Sequence, residues 1–224
     1  MSFCGRGATV PVTAGTIRNL GSVCQAGFHQ GDERLPPTAT TDRPLRADAQ
    51  RNREAIIAAA RRIVAEQGVE AQIQDVAREA GVGIGTVYRH FPNKDALMAE
   101  LIGQCARENA AIAHEVLEAT DDRNLFRTLV LRACESMEAD AAKRRVWSVA
   151  SDEAVALAED AKADMAGTCS EVITRAHAAG GLRKDFTPED MPGLMCGLAA
   201  AIDAQPPGGW QRLVQFALDG LAAR

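Results

Sequence analysis

Between residues 73 and 94 the chain reads IQDVAREAGVGIGTVYRHFPNK. No other stretch limits the possible folds as much. Ile73, Val76, Ala77 and Ala80 recur three and four apart, the spacing of one helix face. Gly81 ends that run. A second run, IGTVYRH at 84–90, places Val87 and Phe91 four apart on a shared face. Pro92 stops it. Asn93 is then a good N-cap for a third helix, and Asp95 falls in its first turn, where the macrodipole favours an acid.

The three alternate glycines, Gly81, Gly83 and Gly85, raise the question of a phosphate-cradling loop. A dinucleotide loop needs a strand before it and a helix after it. Here the preceding element is helical, and no Gly-Lys pair stands at the offset a P-loop requires. The alternative is a helix-turn-helix. Gly81 adopts a positive φ without steric cost, and Val82 fills the angle between the two helices. The second helix is then free to lay its outer face in a major groove.

The rest of the chain reads as helix throughout. Ile56, Ala60, Ile63 and Val64 set a first helix over about 47–67, stopped by Gly68. A long helix spans about 94–119. Beyond the DDRN break at 121–124, helices are expected at about 124–140, 143–151, 153–179, 188–203 and 208–222, with AGGLRKD and QPPGG among the linkers. No alternating run is long enough for a strand. Residues 1–45 are rich in Gly, Thr, Pro and Ser and lack a sustained period, with PPTATTDRP at 36–44 resembling a linker. They are expected to be a disordered extension; a misplaced start codon would also account for them.

Composition removes several classes. No window approaches 18 uncharged apolar residues, so no membrane span is expected. No basic start followed by an apolar run marks a secretory signal. The six cysteines, at 4, 24, 105, 134, 169 and 196, include no C-x-x-C pair and no zinc spacing. Reduced thiols in a cytoplasmic protein are the expectation. His114 and His177 stand apart from any metal-ligating cluster. No acid/base pair or nucleophile elbow suggests an enzyme, and no cofactor is expected. The net charge is -5, which alone argues against nucleic acid. Yet residues 46–98 hold eight Lys/Arg against seven Asp/Glu, while 99–224 hold thirteen against twenty. A DNA reader needs only one basic face.

With these residues in view, IQDVAREAGVGIGTVYRHFPNKDALM resembles the DNA-binding core of the tetracycline-repressor (TetR-type) family of bacterial transcription regulators. The shared pattern is a helix, A-G-V, a short recognition helix ending Y-x-H-F, and a Lys opening the next helix. The likeness covers about 47–100 in order and spacing; the remaining helices agree in architecture. It implies an all-α fold with an N-terminal three-helix helix-turn-helix domain, residues 46–98, joined to a C-terminal helical domain, 99–224, for effector binding and dimerisation. The chain departs from the family at three positions. Gln72 and Gly83 stand where Ser or Thr often cap helices, and Ile84 replaces a residue that is often polar and base-reading.

The resemblance assigns Tyr88, His90 and Lys94 to phosphate. A Tyr hydroxyl, a His and a Lys at a helix N-terminus are all suitable donors. Thr86 and Arg89 lie on the outer side of the same helix, for phosphate, a thymine methyl or guanine. Ile84 and Gly85 would meet base edges by apolar contact and close approach. Gly83 and Gln72 sit at the helix starts, and Arg46, Arg51 and Arg53 precede or open the first helix, either to add phosphate contacts or as solvated surface charge. Val87, Phe91, Val76, Ile73, Ile63 and Leu97 are assigned to core.

In the second domain, Phe126, Leu129, Val130, Ala133, Met137, Trp147, Met165, Cys169 and Val172 are the expected lining of an effector cavity, with ordinary core packing as the alternative. Leu194, Leu198, Ile202, Leu213, Phe216, Leu218 and Leu221 would form a four-helix dimer interface or else monomer core. The implied function is a homodimeric regulator that binds palindromic double-stranded operator DNA. It would respond to an unidentified small molecule. Repression is the expected sign, and activation stays open because the sign depends on operator position.

Overall fold

The amino-terminal helix begins earlier than the sequence pattern suggests. In the computed structural model, which describes residues 42–223 and their side chains from Ala47 onward (Val69 excepted), α1 runs Asp42–Gln67. Residues 42–44, expected within the linker, form its first turn. Pro44 is tolerated there because the first N–H groups of a helix have no intrahelical acceptor to lose. The readings for residues 1–41, and for the Arg46 side chain, lie outside the described residues.

The helix-turn-helix follows. A short 3-10 turn, Gly68–Glu70, leads to α2, Ile73–Glu79, and then α3, Ile84–His90. The turn between them is fixed by two hydrogen bonds. Gly81 N–H donates to Arg78 O at 3.2 Å, and Val82 N–H donates to Ala77 O at 3.0 Å. This pairing satisfies the last carbonyls of α2 and requires a left-handed residue between them, which Gly81 supplies with φ 68°. Asn93 caps α4, Lys94–Ala119, by accepting from Ala96 N–H at 2.7 Å.

Six further helices complete the described chain: α5, Leu125–Ala139; α6, Ala141–Val149; α7, Asp152–Leu157; α8, Glu159–Ala178; α9, Met191–Asp203; and α10, Gln211–Leu221. The described residues contain no strand, in agreement with an all-α fold. The continuous helix expected over 153–179 is instead two, broken at Ala158, whose φ -96° and ψ 12° leave the helical region. Ala154 and Ala158 both bury against the first core, so the break keeps two small residues in contact with it. The stretch expected at 188–203 opens as a 3-10 turn, Pro188–Asp190, before α9 begins.

Two apolar cores share one helix. The first joins Ile56, Ile63 and Val64 of α1, Ile73 and Val76 of α2, Val87 of α3, Phe91, and Leu97 through Cys105 of α4. Val146 of α6 closes it. The second joins the far half of α4 to α5, α8, α9 and α10, with Phe126 packed edge-on to Phe186 at 4.9 Å. At the join after α8, Gly181 leaves no room for a side chain: a Cβ there would sit 1.9 Å from Arg123 O.

The cores are also tied by charge. Arg61 of α1 hydrogen-bonds Glu108 of α4 at 3.0 Å and Asp140, the N-cap of α6. Lys143 of α6 reaches the same Glu108 at 2.6 Å. Burial alone would raise the Glu108 carboxyl; hydrogen bonds from Lys143 and Arg61 outweigh it and hold the group below its ordinary range. Asp140 is lowered in the same way, with burial opposed by Arg61.

Candidate nucleic-acid interface

α3 is held from beneath and left open above. Val87 is fully buried and Phe91 nearly so, which fixes the helix against α1 and α4. The guanidinium of Arg53 lies over the Phe91 ring at 5.4 Å and reaches Glu100 of α4 at 2.6 Å. The opposite face carries Ile84 and Tyr88, 42% and 46% exposed, four residues apart. Gly85 and Arg89 form a second exposed pair at the same spacing. An exposed isoleucine and tyrosine on one helix face form a patch that folding alone does not explain.

The cations beside that patch are uncompensated. Most arginines of the described chain are engaged: Arg51 with Asp48, Arg62 with Glu79, Arg78 with Asp75. Arg89 and Lys94 have no ion pair or side-chain hydrogen bond among the described residues. Lys94 is the first residue of α4, where a positive charge opposes the helix dipole. Its neighbour Asp95 is already engaged by Ser151 Oγ. An anion at this helix start would satisfy both the free N–H groups and the lysine, which is what a phosphate does.

The residues expected to touch DNA therefore fall into two groups. Gly83, Ile84, Gly85, Thr86, Tyr88, Arg89, His90 and Lys94 are brought together on α3 and the start of α4, with Thr86, His90 and Lys94 half-buried and the rest exposed. Arg51 is exposed on α1 but paired with Asp48. Gln72 holds the N-cap position of α2, yet its side chain makes no cap and donates to Glu70 O at 3.1 Å. Gly83 caps α3 with backbone alone, in an extended conformation open to any residue.

The nine residues expected to line an effector cavity are placed differently. Phe126, Leu129, Val130 and Val172 are buried in the second core, with Met137 and Cys169 packed against it. Ala133 is buried on α5, and Met165 is half-buried on α8. Trp147 packs against the first core instead. None of the nine lines the open cleft of about 600 Å³ that lies between α4 and the α7–α8 junction. That cleft is walled by Ala96, Ala99 and Gly103 on one side and Leu157, Ala158 and Ala161 on the other. Small residues seven positions apart on α4 were its only trace in the sequence.

Among the described residues no helix is long and apolar enough to cross a membrane, and no group of His, Cys, Asp or Glu is arranged to hold a metal. Cys105 and Cys134 are buried, and burial pushes the Cys134 thiol up to about 12.

Comparison with known proteins agrees with this geometry over both halves. Residues 56–101 match the family described as bacterial regulatory proteins, tetR family. Residues 116–223 match the SbtR-like transcriptional regulator C-terminal domain. The HTH-type transcriptional regulator TtgR of Pseudomonas putida is 33% identical over 107 residues, 46% of this chain and 51% of that protein. An HTH-type transcriptional regulator of Staphylococcus aureus is 43% identical over 54 residues, 24% of this chain and 29% of that one. The chain thus spans about half of the first of these curated relatives and less than a third of the second. Among solved structures, the TetR regulatory protein of Mycobacterium vanbaalenii is 28% identical with a TM-score of 0.53, covering 80% of this chain and all of that one. The fatty acid degradation regulator FadR of Bacillus halodurans shares the fold at 22% identity, with a TM-score of 0.62 over 77% of this chain and 97% of that one.

Proposed function

Since the chain belongs to the tetR family of bacterial regulatory proteins, we propose that it regulates transcription as a homodimer whose two α3 helices read a palindromic operator. One observation carries the reading: α3 is anchored by buried Val87 and Phe91 while Tyr88 and Arg89 stand unpaired on its open side, with the unpaired Lys94 next to them at the start of α4. Tyr88 and Lys94 position the protein on phosphates, and Arg89 reaches phosphate or guanine. Ile84 contributes apolar contact to base edges, and Gly85 permits close approach. Two such helices about 34–36 Å apart fit successive major grooves.

The second copy would pack on the carboxy-terminal helices. Leu213 and Phe216 of α10 are 40% and 58% exposed, and α9 presents Gly193, Cys196, Gly197 and Ala200 to solvent. A ligand in the C-terminal half would change the spacing of the two heads. A coupling on the order of 1–3 kcal/mol is enough to release the operator. Repression is the sign we adopt, and the protein would act in the cytoplasm.

The test is footprinting of the full chain on the DNA flanking its own gene, with Tyr88→Ala alongside. A short protected palindrome, weakened about tenfold or more in the variant, is the expected outcome. Equal protection by both proteins would sink the assignment of α3 as the reading helix.

A further inference from the structure

α3 opens on a side chain that has neither donor nor acceptor. Ile84 is its first residue, is 42% exposed and lies outside both cores. Gly83 before it and Gly85 after it are exposed, and a Cβ at either would meet nothing within 4 Å. Val82 packs against the first core, Thr86 is half-buried and Val87 is fully buried. The first turn of α3 therefore offers its surroundings one large exposed side chain, and that side chain is aliphatic. Isoleucine is branched at Cβ, so its χ1 is restricted in a helix and its methyl groups are held in place before anything binds.

The N-terminal residues of a recognition helix are the ones that reach base edges. In the major groove those edges are donors and acceptors, with one exception: thymine adds an apolar C5 methyl group. Isoleucine set against guanine, adenine or cytosine would strip water from polar atoms and return no hydrogen bond. Against the thymine methyl it buries apolar surface on both sides. The same side chain therefore attracts one base and penalises three. Thr86, the other candidate for that methyl, is set back by its partial burial. One turn later Tyr88 and Arg89 are exposed, and Arg89 and Lys94 have no ion pair among the described residues. Phosphate contacts from these groups hold the helix at the depth that such a contact requires.

We propose that Ile84 determines operator specificity by packing on the C5 methyl group of one thymine in each half-site. The inference deepens the regulator reading by naming the base, and the group on it, that α3 reads, and it rests on that reading. Where the family often carries a polar, base-reading residue, this chain selects by apolar fit and desolvation instead of by hydrogen bonds.

The test uses synthetic duplexes of the palindrome recovered by footprinting. Each thymine in turn is replaced, in both half-sites, by deoxyuridine, which removes the methyl group and leaves every donor and acceptor in place. Fluorescence anisotropy reads the affinity of the full chain for each duplex. At one thymine position the exchange should weaken binding about tenfold or more, since one buried methyl is worth about fourfold and both half-sites lose it. Ile84→Ala should bind the natural duplex more weakly and lose this difference. Its thermal unfolding should not fall, since the side chain is exposed and alanine favours helix. Ile84→Val, which keeps the branched methyl groups, should retain the difference, and so should Thr86→Ala. The absence of any methyl-sensitive thymine, a difference that survives in Ile84→Ala, or one that disappears only in Thr86→Ala would overturn the proposal. A protein that binds the natural duplex but is indifferent to uracil overturns the inference alone and leaves the regulator reading intact. A protein that protects no DNA overturns both.

Discussion

Two helices of this protein each leave a pair of large apolar side chains in water, and they do so in different chemical company. On α3, Ile84 and Tyr88 stand beside Arg89 and Lys94, neither of which has a carboxylate partner among the described residues. On α10, Leu213 and Phe216 stand beside an acid already paired, Asp219 with Arg127 at 3.6 Å, and a lone cation, Arg212, lying over the Phe216 ring at 5.4 Å. Free cations around an apolar patch suit a polyanion. An apolar patch whose neighbouring charges are mostly engaged within the protein, by a carboxylate or by the patch's own ring, suits another protein surface. The two faces are therefore read as the DNA side and the partner side, and exposure alone would not have separated them.

The largest expected effect bears on α10. Leu213→Glu/Phe216→Glu places two acids on the outer face without touching the buried Val214 or Leu218. If that face meets a second copy, the dimer dissociation constant should rise about a hundredfold or more, as for central interface anchors. Helical content should not change. Sedimentation equilibrium over a concentration series reads this directly, and an unaltered mass would remove the partner side of the comparison.

How far the sequence carried depends on the range of each signal. The boundaries of α2, α3 and α4 were legible because Gly81, Pro92 and Asn93 act within a turn of themselves. The buried anchors Val87 and Phe91 were legible from a spacing of four. The break at Ala158 was not, because ALAEDAKADMA offers uninterrupted helix formers, and only packing of Ala154 and Ala158 on the first core bends the chain there. The tie between Arg53 and Glu100 was equally hidden, since 47 residues separate the partners. The cleft was hidden for the same reason: its walls come from α4 and α8, and neither carries a pattern that names the other.

A middle-sized effect tests the frame between the two faces. Arg61 is the guanidinium that α4 and α6 share through Glu108 and Asp140. Arg61→Met should cost about 1–2 kcal/mol in chemical unfolding at neutral pH, a value discounted for partial exposure of all three groups. Both carboxyls have folded pKa values below their unfolded ones, against the pull of burial. Their contribution is therefore complete above the ordinary carboxylate range and is lost as pH falls through the folded values. Wild-type stability should decline between about pH 5 and pH 3, and the Arg61→Met profile should be flatter. Parallel profiles would mean that the network does not join the cores.

The smallest effect is the most discriminating, because folding and DNA reading predict opposite signs for it. Gly85 lies inside α3, and a Cβ added there meets nothing within 4 Å. Its backbone is ordinary helix, so nothing in the fold calls for glycine. Gly85→Ala should stabilise the protein by about 1 kcal/mol, the helix-propensity difference, measured by thermal unfolding. If α3 presses its open face on DNA at Gly85, the same methyl should weaken operator binding even as the protein grows more stable. A gain in stability with unchanged binding would move the close approach elsewhere on the helix, to Ile84 or Tyr88. A loss of stability would mean that the open space above Gly85 is filled by protein, and the face would no longer be free for DNA.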